Sequence, residues 1–304
     1  MNAKSVKSVI SDYYELTKPN VWWLLVFTAI GAMIRAGGNY SNTNEFFIQS
    51  EIIILVILSV TCGTAGAEAI SNYIDKDVDA LMQRTKNRPI PSGRIKAINS
   101  LIFGIILASL AIIFSYMIDY NNNSTLPIVT FLMIFGLFDY LIVYSAYLKR
   151  RNLSNIILGG FSGAMPALIG YTAISKTIVL EGLLISALVF IWIPAHIWSL
   201  SLRFQDDYSK AGIPMLPTVV SLKTSIRLIA LSSIILVIFS LMLYQIGTIY
   251  LITAIITGII ILFSSLKLLL EPTKERAWKL FKISSPYLAV LFIAMILDVI
   301  INTL

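Results

Sequence analysis

The chain has 304 residues, 57% of them hydrophobic and only 13% charged, with a mean hydropathy of +0.83 and a formal net charge of +7. Soluble domains carry about 25% charged residues, so this composition excludes a water-soluble globular protein and points to one that crosses a membrane several times. The positive balance favours anionic lipid or an anionic substrate over nucleic acid, for which no motif is present.

A hydrocarbon core about 30 Å thick needs roughly 20 apolar residues per helix. Runs of that kind, separated by charged or Pro/Gly/Asn-rich breaks, predict nine spanning helices over 21–37, 51–71, 99–119, 126–147, 153–175, 178–200, 224–245, 247–269 and 283–303. None shows period-2 alternation, which disfavours an outer-membrane barrel. The expected fold is therefore an all-α polytopic bundle. With the N-terminus inside, 21 of the 23 Lys and Arg residues fall in cytoplasmic segments and only Arg35 and Lys176 fall outside. Basic residues are retained on the cytoplasmic side, so the expected topology is N-in and C-out.

In chain order, residues 1–20 form a cytoplasmic segment with Lys4 and Lys7. No small-residue cleavage site follows it, so the first hydrophobic run is expected to be a retained helix. Cys62 is the single cysteine, which excludes an intrachain disulfide, and it is expected to pack within a span. Sequons at Asn39, Asn122 and Asn123 fall in expected external loops. Neither low-complexity blocks nor soluble linkers interrupt the chain, which reads as one domain over 1–304.

The second span ends in "SNYIDKDVDALMQRTKNRPIPSG", residues 71–93. If the helix continues through it, Glu68, Asn72, Asp75 and Asp79 fall within about 60° of one another, Ser71 lies at the edge of the stripe and Asp77 points away. Carboxylates this close do not all ionise unless a cation neutralises them. Hard oxygens at helical spacing suit Mg²⁺, which takes one or two carboxylates and completes its shell with water and substrate phosphates. The plainer alternative is a solvated acidic helix end. The loop then supplies Arg84, Lys86 and Arg88, stiffened by Pro89 and Pro91. Guanidinium forks match phosphate oxygens, so metal and cations together suggest a diphosphate site. Taken alone, the same basic residues also serve as inner-face retention signals.

Further polar patches follow on the expected inner face. "VYSAYLKRRNLSNIILGGFSGAMPALIGY" carries Tyr144, Tyr147, Lys149 and Arg150, then Gly159, Gly160, Gly163 and Gly170, which read as close-packing positions. "WIPAHIWSLSLRFQDDYSKAGIPMLPTV" carries His196, Trp198, Arg203, Asp206, Asp207, Tyr208 and Lys210. Two acidic clusters on one side of a bundle can converge on one mouth, and the alternative is an ordinary charged loop. His196, the only histidine, sits at a helix end, where an imidazole serves as iron ligand, proton shuttle or hydrogen-bond partner as readily as a structural group. Glu68 and Asp139 lie inside spans, where an ionised side chain is costly; Asp139 has no partner evident in sequence.

Asp75, Asp79 and "RTKNRPIPSG" resemble the first motif of the UbiA-type intramembrane prenyltransferases, whose usual form is NxxxDxxxD followed by a basic loop. With "ELTKPNV", "YLKRRNLSNIILGGFSGAMPALIG" and "AHIWSLSLRFQDDYSKAGIPMLP", the stretch from about residue 13 to 222 is similar to the haem-specific branch, the protoheme IX farnesyltransferases. The resemblance implies a helical bundle around a central cavity open laterally to lipid. It implies transfer of a farnesyl group from farnesyl diphosphate to the 2-vinyl group of haem B, with addition of water, giving haem O and diphosphate. Asn72, Asp75, Asp79 and Asp207 are the implied Mg²⁺ residues, and Arg84, Lys86, Arg88, Lys149, Arg150 and Arg203 the implied diphosphate partners. His196 and Trp198 are the implied haem contacts, and the implied catalytic set is Asp75, Asp79, Arg84, Arg88 and His196. The implied location is the cell membrane, or the inner mitochondrial membrane in a eukaryote, with a haem A synthase or terminal oxidase assembly as protein partner. The chain departs from the usual motif in placing Ser71 where Asn is expected, with Asn72 one place later. It also has adjacent Asp206 and Asp207 in place of two spaced aspartates.

Three other readings compete. A quinone or lipid prenyltransferase would share the first motif without needing His196. A secondary transporter would carry midplane ionisable groups and inverted repeats. A non-catalytic haem-binding membrane protein would leave haem unchanged in the presence of donor and Mg²⁺.

Overall fold

The computed structural model describes residues 6–38 and 50–303. Lys4 and the Asn39 sequon lie outside the described residues. In hydrocarbon every backbone polar group must be satisfied within the chain, which leaves helices as the spanning element here. Nine helical spans result among the described residues.

An amphipathic α1 (Val6–Leu16) leads into α2 (Pro19–Gly37). The second span is α3 (Ser50–Ile74), followed by the short α4 (Lys76–Leu81). Next come α5 (Ala97–Asn121) and α6 (Ile128–Phe138), and the latter continues without a break into a π-helical segment, Asp139–Leu148. The short α7 (Asn155–Leu158) and α8 (Gly160–Ser175) form the fifth span, and α9 (Leu180–Arg203) the sixth. Two short helices, α10 (Gln205–Lys210) and α11 (Leu216–Val219), precede α12 (Leu222–Met242), α13 (Thr248–Leu270) and α14 (Lys274–Thr303).

Eight of the nine expected spans agree with these helices to within a few residues. The last begins at Lys274, nine residues before the expected 283. Its first turns carry five charges in KERAWKLFK, which a hydropathy reading rejects as membrane. They form helix because Ala277 and Leu280 are buried on one side while Glu275 pairs with Arg203 and Lys274 with Asp206 on the other.

Close backbone approach joins the spans. An added Cβ on Gly66 of α3 would lie 2.8 Å from Gly104 O, and one on Gly104 of α5 would lie 2.9 Å from Gly66 O. Gly170 of α8 likewise sits against the backbone of Ala29 in α2.

The two ends of the bundle differ chemically. At one end the connections after α3 and the π-helical segment meet through ion pairs, as do those after α9 and α13, and a hydrogen bond from Arg84 N to Asp207 joins the two sets. At the other, carboxylates cap helices: Asp119 accepts from Val129 N (3.1 Å) and Thr130 N (2.9 Å), and Asp298 from Ile249 N (3.0 Å) and Tyr250 N (2.6 Å). Arg35 binds Glu181 at 2.6 Å and Ile246 O at 3.1 Å there. Asn122 is buried, its amide donating to Ala173 O at 2.8 Å, so the sequon at Asn122 is corrected to a structural tie.

Candidate functional site

The acidic stripe survives a one-residue interruption. Helix α3 stops at Ile74 and α4 restarts at Lys76, yet Asp75 N donates to Ser71 O and Asp79 N to Asp75 O, both at 2.8 Å, so the helical sense carries through. Asp75 and Asp79 are 1% and 4% exposed, whereas the Asp77 side chain points outward and is 60% exposed. Lys149 meets Asp75 at 2.5 Å and Arg88 meets Asp79 at 2.8 Å. Lys18 pairs with Glu68.

Lys18 was invisible to the motif reading as a site residue, although it lies in the quoted ELTKPNV stretch. It holds a left-handed backbone, φ 48°, immediately before Pro19. Such conformations are costly outside glycine and concentrate where a side chain must be aimed. Burial pushes the Lys18 ammonium below the ordinary lysine range; Glu68 opposes this, and the fields of Arg88 and Lys149 reinforce it. Burial works against the charge of Lys149 too, but the Tyr144 oxygen and the Asp75 carboxylate outweigh it and raise that pKa. Lys18, Arg88 and Lys149 thus converge on Glu68, Asp75 and Asp79.

The second acidic cluster joins the first. Asp207 on α10 accepts from the backbone N of Arg84 at 3.1 Å, and the Arg84 guanidinium reaches Tyr208 Oη at 3.4 Å and the Phe204 ring at 5.5 Å. Other expected cations are engaged elsewhere. Arg150 forks onto the outward Asp77 at 2.7 Å and onto Ile74 O at 2.6 Å; Arg203 pairs with Glu275 at 3.1 Å; Lys86 is exposed. Asp206 pairs with Lys274 at 2.7 Å, and this partner holds its carboxyl below the usual range.

Above this charged floor lies a cavity of about 780 Å³. Glu68, Tyr140, Tyr144 and Asn155 stand at its polar end, and His196 and Trp192 on one wall. The π-helical turn, closed by Lys149 N to Tyr144 O at 2.8 Å, brings Tyr140 and Tyr144 onto the wall together with ring centroids 5.6 Å apart. Gly159 makes room for the Tyr144 ring: a Cβ there would lie 2.7 Å from Tyr144 Cδ2. Asp139, partnerless in sequence, accepts from Ser162 N at 2.9 Å and so caps α8 across the start of the π turn.

The implied haem contact Trp198 stands away from the cavity, buried in the core, and Tyr147 is 60% exposed with Arg151 over its ring. Trp192, one turn before His196, lines the wall, as does Phe281 of α14, for which the sequence offered no signal.

A family model described as the UbiA prenyltransferase family matches residues 24–296. The chain belongs to this family. Among relatives, it is 42% identical to "Protoheme IX farnesyltransferase 2" of Cenarchaeum symbiosum, over 98% of each chain. Its fold is similar to a digeranylgeranylglyceryl phosphate synthase (TM-score 0.73, 21% identity, 96% of this chain and 99% of that one). It is also similar to an Archaeoglobus fulgidus UbiA homologue bound to DMAPP and Mg²⁺ (TM-score 0.65, 16% identity, 93% and 99%). The chain is thus a multi-pass membrane prenyltransferase.

In this UbiA-family site the donor set suits a hard divalent cation. Asn72 Oδ1 and Asp75 Oδ1 are buried without a hydrogen-bond partner, which is costly unless a ligand satisfies them. Ser71 is the supporting neighbour, donating to Asp75 Oδ2 at 3.2 Å, while the Asn72 amide is anchored to Leu16 O and Glu68 O. Among the described residues no three His, Cys, Asp or Glu side chains enclose a metal by themselves. That suits an ion which draws part of its shell from substrate phosphates.

Proposed function

We propose that this prenyltransferase moves a farnesyl group from farnesyl diphosphate to the 2-vinyl group of haem B, adding water and releasing diphosphate, to give haem O. The observation that carries the reading is one charged end, where Asp207 meets the loop that follows Asp75 and Asp79, adjoining through Glu68 an apolar hollow with an imidazole on its wall. The 42% identity to a protoheme IX farnesyltransferase supports it.

Lys149, Arg88 and Lys18 neutralise the leaving diphosphate, so the allylic C–O bond ionises without a covalent enzyme intermediate. The apolar walls keep water from the allylic cation until the vinyl carbon attacks it, and the Tyr140 and Tyr144 faces line the same hollow. Asn72, Asp75, Asp79 and Asp207 would hold Mg²⁺, which when bound adds positive charge on the diphosphate oxygens. His196 handles the porphyrin. The charged end faces the cytoplasm of a cell membrane, and a haem A synthase or terminal oxidase assembly takes the product.

The test is mass spectrometry of haems extracted after the purified protein is incubated with haem B, farnesyl diphosphate and Mg²⁺. A haem O mass is expected; diphosphate released with hydroxybenzoate but not with haem B would reassign the acceptor to a quinone precursor.

A further inference from the structure

The imidazole of His196 is clamped. Trp192 stacks on one face with ring centroids 4.2 Å apart, and Phe281 stacks at 4.3 Å. Two rings this near cannot share a face, so both faces are covered and only the ring edge is left to meet a ligand. Ser284, one turn beyond Phe281 in α14, holds that edge. Its hydroxyl donates to Phe281 O at 2.8 Å and lies 2.7 Å from His196 Nδ1. A serine hydroxyl has one proton, and the carbonyl has already taken it, so the second contact requires Nδ1–H as donor. This geometry favours the tautomer with the proton on Nδ1 and the lone pair on Nε2. The Ser284 carbonyl also accepts from Trp192 Nε1 at 2.7 Å, so one residue anchors both the imidazole and a ring that clamps it. Among the described residues no protein group hydrogen-bonds Nε2, and His196 lines the cavity.

We infer that Ser284 is a positioning residue for the acceptor: it fixes His196 as the Nδ1–H tautomer and presents the Nε2 lone pair to the cavity as an axial ligand for porphyrin iron. Histidines that bind metals through one nitrogen donate the other N–H to a fixed partner in the same way. The bond is dative, from Nε2 to iron, and changes no oxidation state. A macrocycle tethered by its centre is held in one plane, so a vinyl edge can be directed at the charged mouth instead of tumbling in a greasy hollow. The inference rests on haem B being the acceptor.

The experiment uses the full-length protein in detergent, without prenyl donor, titrated separately with ferric haem B and with metal-free protoporphyrin IX. Wild type should give the visible and electron-paramagnetic-resonance signature of imidazole-ligated haem. Ser284→Ala should weaken haem B binding about 10–100-fold and make its ligation heterogeneous, while metal-free porphyrin binds as in wild type. Ser284→Thr should restore the wild-type signature. An unchanged haem spectrum and affinity in Ser284→Ala, or an equal loss for the metal-free porphyrin, would overturn the inference. A wild type that binds haem B while Ser284→Ala behaves normally removes only this inference; a wild type that does not bind haem B here, and does not alkylate it when farnesyl diphosphate and Mg²⁺ are then added, removes the proposed function beneath it.

Discussion

At the scale of single residues, Asp75 shows how stability and chemistry are entangled in one side chain. It is 1% exposed and balanced by Lys149 at 2.5 Å. Removing one partner of a buried ion pair strands the other charge and costs about 3–5 kcal/mol, whereas replacing both is nearly neutral. Lys149→Met should therefore lower the thermal midpoint in detergent markedly, and Asp75→Asn combined with Lys149→Met should recover it. Activity should not return in the double variant, and should stay on the order of 10²–10³-fold below wild type. A double variant that is both stable and active would sink the proposed role of this pair. Asp77 behaves differently because it points outward. Arg150 holds its carboxyl below the ordinary range, chiefly through their hydrogen bonds. A depressed folded pKa gives stability that is present above the unfolded value of about 3.9 and is lost as pH falls through the lower folded value. Asp77→Asn should flatten the acid limb of a stability-versus-pH curve without altering turnover at neutral pH. The alternation of Asp75 and Asp79 inward with Asp77 outward was legible from 100° per residue. The Lys18–Glu68 pair was not, because its partners are 50 residues apart and the left-handed turn that aims Lys18 leaves only a Lys-Pro dipeptide in the sequence.

Elements obey the same distinction between local and distant causes. Helical periodicity through the first motif was readable as one stripe of acids, and the span limits were readable from the apolar runs; the restart of the helix as α4 was not. The π-helical segment was not readable, since Asp139–Leu148 has the composition of any apolar helix. It exists because Asp139 reaches Ser162 N on α8 and Gly159 admits the Tyr144 ring, and both are tertiary contacts. The far end yields a plain stability prediction. Asp298 caps α13, and a Cβ on Gly247 would collide with that carboxylate. Asp298→Ala should cost about 0.5–2 kcal/mol, read as a lowered unfolding midpoint with the activity per folded molecule unchanged. Gly247→Ala should do likewise by displacing the same cap. A large loss of specific activity in either variant would mean that this end is coupled to the site.

For the whole molecule, the two ends divide the work: one is a set of carboxylate caps and the Arg35–Glu181 clasp, the other a convergence of connections distant in sequence. His196→Ala should leave the charged end intact, so diphosphate release from farnesyl diphosphate with a non-haem acceptor, if any is accepted, should survive while haem alkylation falls. Equal loss with every acceptor would place His196 in the general machinery. The number of spans, their rough limits, the clustering of basic residues in alternate connections and the acidic stripe were determined by the sequence alone. Each follows from a local rule: the thickness of hydrocarbon, the cost of charge in lipid, and 3.6 residues per helical turn. Which helices are neighbours, which cation meets which aspartate, that Trp192 and not Trp198 faces the cavity, and that Ser284 governs His196 were decided only by the tertiary structure. Inside a bilayer the apolar side chains facing lipid and those facing a neighbouring helix are chemically alike, so packing selects the partners through shape and close backbone approach, which no one-dimensional pattern records.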